Sequence, residues 1–303
     1  MARLLYLGPP GSFTHAGTAA VPEAEAVPAR DARQIISAVQ SGEAELGLLP
    51  LENSVEGDVP GTLDELLFGS TSVFIRREVL VPVTFTLAAL PGVQVADLEV
   101  VLSHPHAVAQ CREAVAELGL QVELSSSTSQ AAADVVARGD RAVAAICSAQ
   151  AAEAHGLDAV RTEVEDAPGA ITRMVLLGTK LAPPTGRDTT MAVLTPDTNR
   201  TGVLTDALRC FADRGVALSR ISSRPLKSRL GTYCFIVAAD GHLADPVLSG
   251  ALEAVGRLGV VIKVLGSYPE SGEVAEVGGD LPLGSVSAQS WASWRSGVLS
   301  GGS

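Results

Sequence analysis

Positive charge is scarce in this sequence. Lysine and arginine number 22 against 34 aspartates and glutamates, leaving a formal net charge of −12 at pH 7. A nucleic-acid-binding surface needs a basic face to release counterions from phosphates, so no nucleic-acid partner is expected. A small anion is not excluded, because a few local donors outweigh a distant global charge. Cysteine is also rare. Cys111, Cys147, Cys210 and Cys234 are widely separated and form no C-x-x-C pair. That spacing argues against a thiolate metal site and a disulfide framework, and it fits free thiols in a reducing cytoplasm. Long apolar runs are missing as well. None approaches the roughly 20 residues that span a bilayer, so no membrane partner is expected. The N-terminal run Leu4-Leu5-Tyr6-Leu7 breaks at Gly8-Pro9-Pro10-Gly11, too early for the core of a signal peptide. Charged residues make up 18% and apolar residues 47% of the chain, a globular rather than disordered balance.

Two patterns share the 303 residues. Residues 1–180 alternate short apolar runs (4–7, 46–49, 73–75, 79–90, 100–102, 122–124, 143–146) with helical periodicities (32–41, 107–118, 130–138, 149–155). This rhythm predicts α/β layers with largely parallel sheets. Residues 181–188, with two prolines and a glycine, read as a linker. Residues 189–268 then run strand 190–194, helix 202–214, strand 216–221, strand 233–238, helix 247–258 and strand 260–265. That order is the β-α-β-β-α-β ferredoxin-like unit. Residues 269–303 form a Gly/Ser/Glu-rich tail expected to be partly mobile, with Trp291 and Trp294 able to dock a short helix.

The strands of the first region end in polar loops: Gly8 to Thr14, Pro50 to Gly57, Ser103 to His106, Ser125 to Ser129, and Cys147-Ser148. Ligands of open α/β sheets bind beyond the carboxyl ends of the strands, where helix N-termini favour anions. A Ser or Thr ahead of a helix is usually only an N-cap, so the coincidence of five such loops carries the expectation of a cleft. Thr172-Arg173, a hydroxyl beside a guanidinium at the start of an apolar run, is the pair expected to do the chemistry. His104 and His106 flank Pro105 without a nearby third ligand, so no metal is expected. Glu52 is a candidate general base or a partner of Asn53.

In order and spacing these segments resemble the prephenate dehydratase family over residues 1 to about 270. Tyr6 to Thr14 is similar to its opening glycine loop, and Pro50-Leu51-Glu52-Asn53-Ser54 to its Pro-Ile-Glu-Asn-Ser signature. Ser103-His104-Pro105 with Gln110-Cys111 resembles its Ser-His-Pro-Gln…Gln-Cys segment. Ser127-Thr128-Ser129-Gln130-Ala131-Ala132 and Thr172-Arg173-Met174 resemble its Ser-Thr-x-x-Ala-Ala and Thr-Arg-Phe motifs. Gly202-Val203-Leu204, Ser223-Arg224-Pro225 and Leu230-Gly231-Thr232-Tyr233 are similar to its regulatory ACT domain. The chain departs from the pattern at Gly169 and Ala170, where the family usually carries Asn, at Met174 for Phe, and at Ser222 for Glu.

The resemblance implies two α/β subdomains resembling periplasmic binding proteins, with crossings near 79–83 and 163–171, followed by the ACT domain. It implies loss of carbon dioxide and hydroxide from prephenate, giving phenylpyruvate without a cofactor. Thr172 would donate the proton. Asn53, Ser54, Ser103, Ser127 and Thr128 would orient carboxylates or support Thr172, and Gly11, Ser12, Glu52 and His104 would complete the substrate site. Arg173 would pair with a substrate carboxylate or with a wall acid such as Glu52. Phenylalanine would act as effector at Gly202, Val203, Leu204, Ser223, Arg224 and Pro225, across the interface of a homodimer or homotetramer. Arogenate dehydration, non-aromatising decarboxylation and a non-catalytic amino-acid sensor are the competing readings.

Overall fold

Leu4, Leu5 and Tyr6 are buried on both faces of their strand, which places the first apolar run inside a sheet rather than at its edge. The computed structural model describes residues 1–198, 200–227 and 231–271, with Ser290 and Arg295 as isolated positions. Trp291, Trp294, Leu230 and nearly all of the tail lie outside the described residues.

The first subdomain comprises β1 (Ala2–Leu7), α1 (Phe13–Gly17), β2 (Ala24–Ala29), α2 (Ala32–Ser41), β3 (Leu46–Asn53), β4 (Gly57–Asp58), α3 (Pro60–Asp64) and β5 (Phe74–Pro82). The chain then crosses into a second subdomain. There it forms β6 (Thr86–Ala89), β7 (Val100–Ser103), α4 (Pro105–Gln110), α5 (Arg112–Glu117), β8 (Gln121–Leu124), α6 (Thr128–Arg138), β9 (Val143–Cys147), α7 (Ala149–Ala154) and β10 (Asp158–Thr162). It returns to the first subdomain as β11 (Ile171–Gly178). The third part is β12 (Asp188–Pro196), α8 (Val203–Ala212), β13 (Leu218–Pro225), β14 (Tyr233–Asp240), α9 (Pro246–Arg257) and β15 (Val260–Pro269).

Among the described residues the second subdomain's sheet runs β10-β6-β9-β7-β8, and the other ten strands form one sheet. Its path is β13-β14-β12-β15-β5-β11-β3-β1-β2, with β4 beside β3. The expected β-α-β-β-α-β unit is present, and its strands take the ferredoxin-like order second-third-first-fourth.

Several expectations need correction. The sheets are mixed rather than largely parallel, because β11 comes back from the second subdomain and inserts antiparallel between β3 and β5. The run at 79–90 is two strands in two sheets, divided at residues 83–85. Strand β5 continues through Arg76-Arg77-Glu78, whose charges disguised it. The helix expected over 107–118 breaks at Cys111 into α4 and α5. Strands β2 and β10 were missed; both are sheet edges with partly exposed, charged sequences.

The two crossings are hydrogen-bonded to each other, from Val83 N to Ala170 O (2.8 Å) and from Val164 N to Phe85 O (3.1 Å). The opening glycine loop clasps the second subdomain. Ser129 Oγ donates to Pro10 O (2.6 Å) and Ser148 Oγ donates to Gly11 O (2.8 Å). Gly11 has φ +82°, and a Cβ there would lie 3.0 Å from both Ala151 Cα and Ser129 Oγ, so both conformation and space require glycine.

The ferredoxin-like sheet joins the rest through one registered pair, Gly266 with Ile75. A Cβ on Gly266 would sit 2.5 Å from Ile75 O and 2.6 Å from Ile75 Cβ. Gly266→Ala should therefore separate β15 from β5 and cost about 1–3 kcal/mol of stability. A thermal melt checks this, and an unchanged Tm would contradict the joint.

Candidate active site

The end of β3 lies beside the start of the antiparallel β11, with Asn53 in register with Thr172 and Glu52 with Arg173. Successive strand residues point to opposite faces. Thr172 and Asn53 therefore share one face, and Arg173 and Glu52 share the other. The first face opens on a cleft of about 280 Å³ between the subdomains.

Asn53 Oδ1 accepts from the backbone N of Val55 (2.9 Å) and Glu56 (3.1 Å). Those two donors fix the carboxamide, so the amide that meets Thr172 Oγ1 at 3.0 Å is Nδ2. Thr172 thus accepts a hydrogen bond from Asn53, and its own hydroxyl hydrogen is left for the cleft. Thr172 is buried, and both residues line the cleft.

The opposite wall comes from the second subdomain. Ser126, Ser127 and Thr128 stand at the N-terminus of α6, where Ser127 Oγ caps the helix by accepting from Gln130 N (3.0 Å). His104 caps α4, accepting at Nδ1 from His106 N (3.3 Å). Burial, then the charge of His106, push His104 below the ordinary histidine range against a weaker opposing pull from Glu56. Its ring is therefore neutral at pH 7, with the hydrogen on Nε2. Glu56 bridges the cleft: its carboxylate accepts from Gln110 Nε2 (2.6 Å) and pairs with His106 Nδ1. Phe13 and Phe85 meet edge to face at 5.5 Å and give the cleft an apolar wall. No lysine or arginine is among the lining residues. An anion here would be held by hydroxyls, a neutral imidazole and the α6 N-terminus.

The other site residues expected from the sequence fall elsewhere. Arg173 is turned away from the cleft; its Nε lies 3.4 Å from Glu52 and its NH1 pairs with Glu78. Glu52 goes with it, because the β3–β11 register puts both on the far face. Ser103 is fully buried and donates to Ile146 O (2.6 Å) within the second sheet. Ser54 ties its loop to β11, donating from N to Ile171 O and accepting at Oγ from Ile171 N, both at 2.9 Å. Ser12 is the N-cap of α1, and Gly11 belongs to the clasp. Glu56, His106, Gln110, Phe13 and Phe85 were missed. Glu56 lay in the polar loop after β3 and Gln110 inside a quoted motif, but only the folded chain brings them within reach of each other. Among the described residues, no group of three or more His, Cys, Asp or Glu could hold a metal. Burial pushes the Cys111 and Cys147 thiols up to about 12, so neither is a thiolate nucleophile at neutral pH.

A second cavity, about 210 Å³, lies in the ferredoxin-like unit. Val203 lines it together with Asp197, Leu226, Thr232, Tyr233 and Phe235. Gly202 precedes α8 with φ +85°, and Leu204 is half-buried in the first turn. Ser223 and Pro225 are exposed on β13. Arg224 faces the first subdomain, where it donates to Asp64 (2.6 Å). Asp64 is held below the usual carboxylate range: burial would raise it, but Arg224 and Lys227 outweigh that.

Comparisons with known proteins bear on what such a cleft does. The family model for prephenate dehydratase matches residues 4–182. The prephenate dehydratase of Mycolicibacterium gilvum (strain PYR-GCK) is 37% identical over 306 residues, covering 96% of this chain and 97% of the relative. A solved prephenate dehydratase from Arthrobacter aurescens, in complex with L-Phe, is similar with a TM-score of 0.81 at 36% identity, covering 98% of each chain. A structure described as GqqA, a novel type of quorum quenching acylase, has a TM-score of 0.81 at 32% identity, covering 89% of this chain and 98% of its own. With the family model spanning both walls of the cleft and relatives matching nearly end to end, the chain belongs to the prephenate dehydratase family.

Proposed function

We propose that Thr172 is the proton donor of a carbon-oxygen lyase that converts prephenate to phenylpyruvate in this cleft. The ring carboxylate leaves as carbon dioxide, and its bonding electrons enter the ring. The C–O bond of the ring hydroxyl breaks with both bonding electrons going to the oxygen, which takes the Thr172 proton and leaves as water, after which solvent reprotonates Thr172. Aromatisation drives the step, so the protein supplies positioning and a proton at one oxygen. The observation that carries this reading is the fixed carboxamide of Asn53, which donates to Thr172 and leaves the threonine hydrogen free. Ser126, Ser127, Thr128 and neutral His104 offer donors for the two carboxylates.

The same geometry disfavours the competitors. A nucleophilic threonine, as an acylase would need, requires a base to take its proton; Asn53 Nδ2 is a donor. Arogenate would bring an ammonium, and Glu56, the acid lining the cleft, already accepts from His106 and Gln110. A sensor has no use for a directed hydroxyl. The buried free thiols and the absence, among the described residues, of a helix long and apolar enough to cross a membrane are consistent with a cytoplasmic enzyme.

Thr172→Ala should lower kcat about 10²–10⁴-fold while the fold persists. The check is an end-point assay on prephenate that follows phenylpyruvate and carbon dioxide separately. Equal release of both, lost in the variant, is expected. Carbon dioxide without phenylpyruvate would point instead to non-aromatising decarboxylation, and unchanged turnover would reject Thr172.

The ferredoxin-like unit is read as an ACT domain whose second cavity takes phenylalanine. Asp197 would meet the ammonium, the α8 N-terminus the carboxylate, and Tyr233 and Phe235 the ring, with a second copy of the chain completing a homodimer. The L-Phe bound by the Arthrobacter relative supports this ligand. Calorimetry should detect phenylalanine binding that Asp197→Ala abolishes; no heat up to millimolar phenylalanine would reject the site.

A further inference from the structure

Behind the cleft, the far face of β3 and β11 carries a partly buried charge network that reaches into the ferredoxin-like unit. Glu52 accepts from Arg220 NH1 on β13 (2.8 Å), and the other Arg220 amine, NH2, pairs with Asp58 on β4. Ser222, two residues along β13, donates to Asp58 Oδ2 (2.8 Å). On the other side Arg173 pairs with Glu78, which also accepts from Tyr268 OH (3.0 Å) and Ser271 Oγ (2.7 Å). The Arg220 side chain is 12% exposed and that of Glu78 5%, while Glu52, Asp58 and Arg173 keep partial contact with water, so Arg220 and Glu78 have the least water to replace a lost partner.

Glu52 is the residue immediately before Asn53, and Arg173 immediately follows Thr172. We propose that Arg220 is a positioning residue for the dehydration: through Glu52 and Arg173 it fixes the backbone on which the Asn53–Thr172 donor pair stands. The inference rests on the assignment of Thr172 as donor. Three carboxylates share two guanidiniums in this network. Removing Arg220 leaves Glu52 and Asp58 directly opposite each other in register, with Asp58 stripped of its guanidinium and Glu52 held by Arg173 alone. Their repulsion turns β3 at its last residues, and Asn53 moves with it. A displacement near 1 Å at a reacting group costs about a hundredfold in rate. Ser222 suits this role. At that position a glutamate would add a fourth carboxylate to the network, beside Asp58, where the serine hydroxyl donates to it.

The test compares full-length variants. Arg220→Ala should lower kcat for prephenate about tenfold to a hundredfold with KM within about threefold, and Arg220→Lys should restore part of it, since one ammonium can still reach Glu52. Glu52→Gln should lower kcat likewise, and the double variant Glu52→Gln/Arg220→Ala should fall no further than the worse single one. Lys263→Met is the docking control. Its ammonium donates to Leu66 O, Leu67 O and Ser70 O at the same interface (2.6–2.8 Å) but touches neither β3 nor β11. It should lose thermal stability and keep its kcat. The amide ¹⁵N resonance of the Asn53 side chain, which needs no turnover, should move in Arg220→Lys and stay in Lys263→Met. If the wild type releases no phenylpyruvate, the dehydratase reading fails, and this resonance alone decides the positioning. An Arg220→Ala enzyme with wild-type kcat, or an Asn53 resonance that ignores Arg220, would overturn the proposal.

Discussion

The direction of one hydrogen bond decides what Thr172 offers to the cleft. Asn53 Oδ1 is committed to two backbone amides of its own loop, which forces Nδ2 toward Thr172 and turns the threonine into an acceptor on that side. A threonine hydroxyl is a weak acid in water. Buried, and with its lone pair already engaged, it presents a hydrogen to whatever oxygen enters the cleft. The bond joins residues 119 positions apart in sequence. It exists only because the chain leaves the first sheet after β5, builds an entire second subdomain and returns as β11 beside β3. The clasp of the glycine loop and the paired crossings hold the two subdomains so that the returning strand arrives in register.

Strand alternation divides the work between two faces. The cleft face carries hydroxyls, a carboxamide, a neutral histidine and aromatic walls. The far face carries the guanidiniums of Arg173 and Arg220 with their carboxylate partners, while among the described residues the cleft keeps only the Glu56–His106 pair. A dianionic substrate is thus met by oriented dipoles while the guanidiniums stay behind the strands, paired with Glu52, Asp58 and Glu78. Fixed dipoles need little reorganisation as charge moves from the carboxylate to the leaving oxygen. The arrangement also accounts for an anion site on a chain of net charge −12: the local field comes from helix N-termini and hydroxyls close to the ligand.

Much of this was legible in the sequence, for physical reasons. The ferredoxin-like unit stood out because its helices α8 and α9 carry strong 3.6-residue periodicity and a proline-rich linker precedes it. Thr172, Asn53, His104, Ser127 and Thr128 were recognisable as polar groups at strand ends, and all five line the cleft. What failed depended on long-range pairing. Thr172 and Arg173 are neighbours in sequence, and nothing local says that the strand sends them to opposite faces of the sheet. Ser103 looks like a cleft hydroxyl until its donation to Ile146 buries it in the second sheet. Glu78, a charge in the middle of β5, concealed the strand because the partners that compensate it, Arg173 and Tyr268, lie 95 and 190 residues away. Edge strands such as β2 lack the apolar alternation that betrays a buried one.

The most direct test of the central claim is the turnover of Asn53→Asp on prephenate. Aspartate keeps the shape and still accepts from Val55 and Glu56, but it presents an acceptor to Thr172 and draws the hydroxyl hydrogen away from the cleft. The expected result is a fall in kcat of about a hundredfold or more, with Tm close to the wild type and a raised KM, because the added carboxylate also repels the dianion. Turnover within twofold of the wild type would contradict the account, because the direction of that hydrogen bond would then not matter to catalysis.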